Sequence, residues 1–192
     1  MANGKIIVFS AASGAGKSTI LNEVCKRMSQ LVRSVSATTR APRGGELDGV
    51  DYFFMSEEDF TIKKNNGGFV EWAQVHGNFY GTPRDFIDKH LKDGKLIVMD
   101  IDVQGKILLQ KQYPHNSTSI FIETPSFEIL EARLRSRATD SEEAIKLRLE
   151  NAKKECEFAR THGAYDHFIV NDSLDEVVDK IVNLLKRAES RN

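Results

Sequence analysis

The sequence predicts an α/β fold, a parallel β-sheet flanked by helices that carries a small, mostly β insertion and a helical lid. Three observations carry this. Short apolar runs alternate with segments of helical period. A glycine-rich octet separates the first run from the first helical segment. Two stretches break the alternation, one rich in glycine and aromatic residues, the other charged and helical. The 192 residues are enough for one core with small insertions.

Lys5–Ser10 reads K-I-I-V-F-S, a β-branched strand. Ile20, Leu21, Val24, Cys25 and Met28 then recur at helical spacing. Residues 35–82 hold the runs Tyr52-Phe53-Phe54 and Phe69-Val70-Glu71-Trp72, punctuated by glycines, and predict short strands. Leu96–Ile101, Ser119–Ile122 and His167–Val170 are further strands. Their continuous apolar character suits parallel strands covered on both faces. Residues 103–112 form a helix between two of them. Residues 126–160 read as a helical hairpin, one arm starting near Ser126 and ending near Arg137, the other running from about Ser141 to about Arg160. It carries Arg133, Arg135, Arg137, Lys146 and Arg148 on its surface. The last helix, 174–185, has Ser173 and Glu176 as a capping box and Leu174, Val177, Val178, Ile181 and Leu185 on one stripe.

The totals exclude several classes. A formal charge of −1 gives no global basic field for nucleic acid or an anionic membrane. No apolar run approaches the roughly 20 residues that span a bilayer. Met1–Lys5 leads into a strand without a signal-peptide pattern. Cys25 and Cys156 lie far apart and outside any CxxC, which suits a reducing compartment. The expectation is a cytoplasmic protein. The five histidines form no HExxH and no Cys/His cluster.

The sharpest local signal is Ala11-Ala12-Ser13-Gly14-Ala15-Gly16-Lys17-Ser18, followed by Thr19. It is the P-loop pattern with alanine in place of the first glycine. Small residues let the backbone wrap a phosphate chain, and successive N–H groups and the next helix N-terminus point at the anion. Lys17 would reach the β- and γ-phosphates of ATP, and the Ser18 hydroxyl would bind Mg²⁺. Strand before and helix after are the required context. A second Mg²⁺-side carboxylate is expected at a buried strand end. Asp100 and Asp102 both qualify, and alternation puts them on one face if the strand continues that far. Asp102 is equally suited to capping the next helix.

The acceptor is read from the insertion. Ser36-Ala37-Thr38-Thr39-Arg40-Ala41-Pro42-Arg43-Gly44-Gly45-Glu46 carries two arginines three apart. Asp51-Tyr52-Phe53-Phe54, Phe69-Val70-Glu71-Trp72-Ala73 and Gly77-Asn78-Phe79-Tyr80-Gly81-Thr82 follow. With Asp100-Ile101-Asp102-Val103-Gln104-Gly105 and Ile169-Val170-Asn171-Asp172, these segments resemble guanylate kinase, in order and over almost the whole chain. The resemblance implies that Arg40, Arg43, Tyr52 and Tyr80 hold the GMP phosphate. It implies that Ser36, Glu71 and Thr82 read the guanine and that Asp100 lies near acceptor and metal, binding Mg²⁺ directly or through water. Lys17, Arg40, Arg137 and Arg148 would be the catalytic cations, the last two from the lid. Arg133 also matches a family arginine. It further implies a P-loop core of residues 1–34, 84–125 and 159–192, a GMP-binding subdomain of 35–83 and a lid of 126–158.

Chemistry supports the acceptor independently. Guanine presents N1–H and the 2-amine as adjacent donors, and a carboxylate such as Glu71 accepts both. Adenine lacks the pair and would leave the carboxylate unpaired, a mismatch worth roughly 10⁴–10⁵ in discrimination. Bland roles stand beside the sharp ones. Arg40 and Arg43 suit a solvated turn, Tyr52 and Tyr80 suit packing, and Glu71 suits the outward side of a strand. Thr82-Pro83-Arg84-Asp85 suits a helix N-cap, so Thr82 either reads the base or caps the helix. The expected reaction is direct in-line phosphoryl transfer from ATP to GMP, and to dGMP, in purine nucleotide metabolism. The partners are these small molecules, with no nucleic acid and no membrane, and the chain is a monomer or small homo-oligomer. Two rivals stand. One is a P-loop kinase with another acceptor. The other is a noncatalytic protein-binding module, a class that loses phosphate-loop residues, whereas Gly16, Lys17 and Ser18 are intact here.

Overall fold

The computed structural model describes residues 4–75, 77–136 and 141–189. Along the chain lie β1 (Lys5–Ala11), α1 (Lys17–Arg27), β2 (Val32–Arg33), β3 (Ala37–Thr38), β4 (Phe53–Phe54), α2 (Glu57–Asn65), β5 (Phe69–Val75) and β6 (Asn78–Pro83). Then come α3 (Arg84–Lys92), β7 (Leu96–Asp100), α4 (Val103–Gln112), β8 (Ser117–Glu123), α5 (Phe127–Ser136), α6 (Glu142–Thr161), β9 (His167–Val170) and α7 (Leu174–Glu189).

Five strands form a parallel sheet in the order β2-β7-β1-β8-β9. Alternation divides its side chains between two faces. Ile7, Phe9, Val98, Ile120, Ile122 and Ile169 pack against Ile20, Leu21 and Val24 of α1 and Val178, Ile181 and Leu185 of α7. Ile6, Val8, Ile97 and Met99 pack on the other face with Ile87 of α3 and Leu109 of α4. Each fully buried aliphatic side chain contributes roughly 1.5–3 kcal/mol of transfer free energy. Burial on both faces explains why these strands read as continuous apolar runs.

A second sheet has the order β4-β3-β6-β5, with β3–β6 and β5–β6 antiparallel and β3–β4 parallel. Phe60 stacks on Phe69 and Phe79 beneath it, at ring centroid distances of 4.3 and 5.4 Å. Within this mostly β insertion, the helix α2 is an element that periodicity did not reveal. Its only buried residue is Phe60, so it lacks the apolar stripe that periodicity detects. Its signature lies at its ends. Ser56 accepts from the Asp59 N–H, Glu57, Glu58 and Asp59 occupy the first turn, and Lys63 and Lys64 the last.

The hairpin of α5 and α6 matches its expected bounds closely. Ser141 caps α6 by accepting from the Ala144 N–H. Arg137, assigned to the turn between these helices, lies outside the described residues. The far end of α6 is fastened by Lys106, which is 1 % exposed. Its ammonium donates to the carbonyls of Gly163 and Ala164, the latter at 2.8 Å, and to Gln110 Oε1 at 2.5 Å. Among the described residues no helix is long and apolar enough to cross a membrane.

Candidate active site

The octet forms the turn between β1 and α1. Gly14 and Gly16 take φ of 94° and 90°, a region L side chains avoid. A Cβ on Gly16 would stand 2.7 Å from Asn171 Nδ2, and one on Gly14 would stand 2.9 Å from side-chain carbons of Leu130 and Leu134. Small residues are therefore demanded twice, by conformation and by space. Ala12 and Ala15 are buried, while Ala11, Ser13 and Lys17 remain partly accessible. Ser18 and Thr19 stand exposed on the first turn of α1. Thr19 borders a surface hollow with Asn22 and Glu23, so it faces along the helix flank.

Asn171 follows β9 and donates Nδ2–H to the Ala15 carbonyl at 2.8 Å. Its own carbonyl accepts from Arg133 Nη2 at 2.9 Å. This gives Asn171 and Arg133 a concrete task, holding the inner limb of the loop. Sequence reasoning quoted both residues without finding this, because nothing in the spacing shows that β9 ends beside the loop.

Lys17 forms an ion pair with Asp100, the last residue of β7. Parallel register places Asp100 opposite Phe9 of β1, two residues before Ala11. The strand β7 stops at Asp100, so the condition for Asp100 and Asp102 to share a face is not met. Asp102 is instead the N-cap of α4, accepting from the Gly105 N–H at 2.7 Å. The hydroxyl of Ser18 and the carboxylate of Asp100 are hard oxygen donors, the kind Mg²⁺ takes. Among the described residues no three His, Cys, Asp or Glu side chains cluster as a metal cage.

Beside Asp100 opens a cavity of about 280 Å³, lined by Arg33, Ser34, Ser36, Asp51, Tyr52, Thr82 and Asp100. At its outer end Arg40 pairs with Glu46, Nη2 lying 2.8 and 3.0 Å from the two carboxylate oxygens. The Arg40 guanidinium also lies 5.4 Å from the Tyr52 ring centre, and Tyr52 meets Tyr80 edge-on at 6.0 Å. Glu46 accepts the Arg43 backbone N–H as well, at 2.7 Å, while Arg43 itself is exposed. The hydrogen bond from Arg40 holds Glu46 below the usual carboxylate range. Glu46 is the residue that sequence reasoning missed. The signal was present, an acid six residues after one arginine and three after the next, but only the turn reveals that it orders both.

Glu71 does not face outward from β5; that role falls to its neighbour Trp72, which is 44 % exposed. Glu71 turns toward α4 and accepts from the Thr82 hydroxyl at 2.5 Å. Burial pushes its carboxyl upward, the Thr82 hydrogen bonds oppose that, and the nearby Asp102 charge adds to it. Of the two roles left open for Thr82, the structure does not show the helix cap. The N-cap of α3 is Pro83, which makes no side-chain cap, and the fully buried Thr82 spends its hydroxyl on Glu71. Ser36 lines the cavity while its carbonyl accepts from Phe53 N–H at 2.9 Å. Arg148 reaches from α6 to Ser13 Oγ, at 3.3 Å from Nε and 3.2 Å from Nη2.

Loop, carboxylate, cavity and the Arg40 guanidinium thus lie along one line of contacts. Comparison with known proteins agrees over the whole length. Residues 3–188 match the family model described as guanylate kinase. A guanylate kinase of Desulfotalea psychrophila is 46 % identical over 193 residues, covering 100 % of this chain and 94 % of that one. One of Thermotoga maritima is 42 % identical over 188 residues, covering 98 % and 89 %. Among solved structures, the crystal structure of guanylate kinase from Anaplasma phagocytophilum superposes with a TM-score of 0.75 at 35 % identity, covering 98 % of this chain and 88 % of that chain. The chain belongs to the guanylate kinase family.

Proposed function

We propose that this enzyme transfers the terminal phosphoryl group of ATP directly to GMP, and also to dGMP, giving ADP and the nucleoside diphosphate. One observation supports the reading above others. The cavity lined by Ser36, Tyr52, Thr82 and Asp100 adjoins the phosphate loop through the Lys17–Asp100 ion pair. Donor loop and acceptor pocket therefore share a wall.

The nucleophile is a phosphate oxygen of GMP, already anionic near neutral pH, so no strong base is required. Its bond to the γ-phosphorus forms as the bond from that phosphorus to the ADP oxygen breaks. The task of the protein is alignment and charge compensation in a loose transition state. The backbone of Ala11–Thr19 cradles the donor phosphates, and Lys17 exchanges Asp100 for phosphate oxygens. Arg40, Arg43, Tyr52 and Tyr80 hold the acceptor phosphate, with Glu46 keeping Arg40 in place until it arrives. Glu71, oriented by Thr82, accepts guanine N1–H and the 2-amine, and Ser36 completes the base site. Arg148 and Arg137 supply positive charge from the lid. Mg²⁺, held by Ser18 and Asp100 directly or through water, would neutralise phosphate charge when bound. A lid that closes over both substrates keeps water, the competing acceptor, from the γ-phosphate. Reduced, free Cys25 and Cys156 are in keeping with a cytoplasmic setting.

The deciding measurement is ADP production from ATP with GMP, dGMP, AMP, UMP and dTMP as acceptors. GMP should be the clear best, with dGMP next. Equal or better use of AMP or a pyrimidine nucleotide would overturn the reading.

A further inference from the structure

The phosphate loop is held by two different hands. Asn171 fixes its inner limb at Ala15. The outer limb is held from α6. Ala152 of that helix, fully buried, packs in one cluster with Ala12. The Ser13 N–H donates to Glu155 Oε2 at 3.1 Å, and the Ser13 hydroxyl accepts from Arg148. Arg148 and Glu155 are seven residues apart, two helical turns, and so share a face. One residue of the loop is thus clasped by backbone and by side chain from a single helix.

This contact is a costly one to keep. Glu155 is partly buried, and burial raises its pKa, opposed by the Ser13 N–H and by the charge of Lys17. A carboxylate beside a site for polyanions also repels them. Its compensation is directional, because a backbone N–H committed to an acceptor fixes the plane of the peptide between Ala12 and Ser13. The neighbouring N–H groups are then aimed before any phosphate arrives, which lowers the ordering cost of binding.

We propose that Glu155 is a positioning residue for the donor: through the Ser13 N–H it sets the outer limb of the phosphate loop and ties that limb to the helix bearing Arg148. The inference rests on the reading of the loop as the ATP site.

Three proteins test it: the wild type, Glu155→Gln, which keeps a carbonyl acceptor, and Glu155→Ala, which has none. Amide hydrogen exchange across residues 12–16 is followed in the free enzyme, and KM for ATP and for GMP are measured with thermal unfolding. Glu155→Ala should exchange faster across the loop and raise KM for ATP about tenfold, the scale of one lost hydrogen bond, with KM for GMP unchanged. Glu155→Gln should stay within about threefold of wild type in each, since the acceptor remains. Wild-type values in Glu155→Ala would overturn the proposal, as would equal losses in both variants, which would make the charge responsible. A parallel rise in KM for both substrates would also overturn it, as general loosening. A wild type that fails to phosphorylate GMP would sink the functional reading alone. In that case exchange across residues 12–16 still judges the tether.

Discussion

At the residue scale, the Lys17–Asp100 ion pair, which we assign to phosphate handling, is worth little to stability. Lys17 and Asp100 are 22 % and 30 % exposed at their side chains, so solvent screening leaves the pair little net stabilising effect. Lys17→Ala should therefore fold with stability within about 1 kcal/mol of wild type yet lose turnover by about 10²–10³. Circular dichroism melts and the coupled assay check both halves, and an unchanged rate would refute the assigned role. Glu71 makes a prediction in pH. Its carboxyl titrates above the ordinary value because it is buried. Below that raised pKa it is protonated and cannot accept both guanine donors, so KM for GMP should rise as pH falls through it. Glu71→Gln should lose this inflection, while ionisation of the GMP phosphate, common to both proteins, remains. The stability sign is opposite. Between the ordinary and the raised pKa the folded state binds more protons than the unfolded one, so stability falls as pH rises through that window. Glu71→Gln should flatten the slope in denaturation curves.

At the element scale, the loop depends on neighbours that are remote in sequence. Gly16→Ala would bring strain at φ 90° together with a Cβ 2.7 Å from Asn171 Nδ2. It should cost about 1–3 kcal/mol in chemical denaturation and abolish detectable ATP binding by calorimetry. Lys106 offers a contrast. Lys106→Met would leave the Gly163 and Ala164 carbonyls without their ammonium. It should destabilise by about 1–3 kcal/mol and leave KM for ATP and GMP near wild type at temperatures where it is folded. Elements were legible in proportion to their apolar periodicity. The four longer strands of the parallel sheet, β1, β7, β8 and β9, and α1 and α7 announced themselves because each buries a stripe or both faces. The helix α2 did not, since it buries Phe60 alone and declares itself only through its cap and end charges. The two-residue strand β2 is set by its pairing with β7 and has too few residues for any pattern.

At the scale of the whole molecule, the residues assigned to the two substrates sit on separate structural units. Those for GMP lie largely within residues 36–82, on and between the strands of the second sheet, while Arg148, assigned to the transferring phosphate, lies on α6. We expect residues 35–83 to swing with GMP and residues 126–158 to swing over ATP. Small-angle scattering should show a smaller radius of gyration with both substrates than without, measured with a nonhydrolysable ATP analogue. Identical profiles would exclude closure. The ties from Ser13 to Arg148 and Glu155 give the lid a direct purchase on the loop.

By itself, the sequence determined the kinds of chemistry present. Small residues ahead of Lys17 point to a backbone that wraps phosphate, and paired arginines and an acid among aromatics fit an anion and a donor-rich base while also fitting blander roles. These are local facts, written in residue type and spacing. Only the tertiary structure decided which competing role each side chain takes. Thr82 bonds Glu71, and the N-cap position of α3 falls to Pro83, which makes no side-chain cap. Asp102 caps α4 while Asp100 meets Lys17. Glu46, Asn171 and Glu155 become supports of the site. Each outcome depends on which polar group arrives within hydrogen-bonding distance once the sheet is assembled, and a buried donor or acceptor takes the partner that the packing of distant segments brings to it.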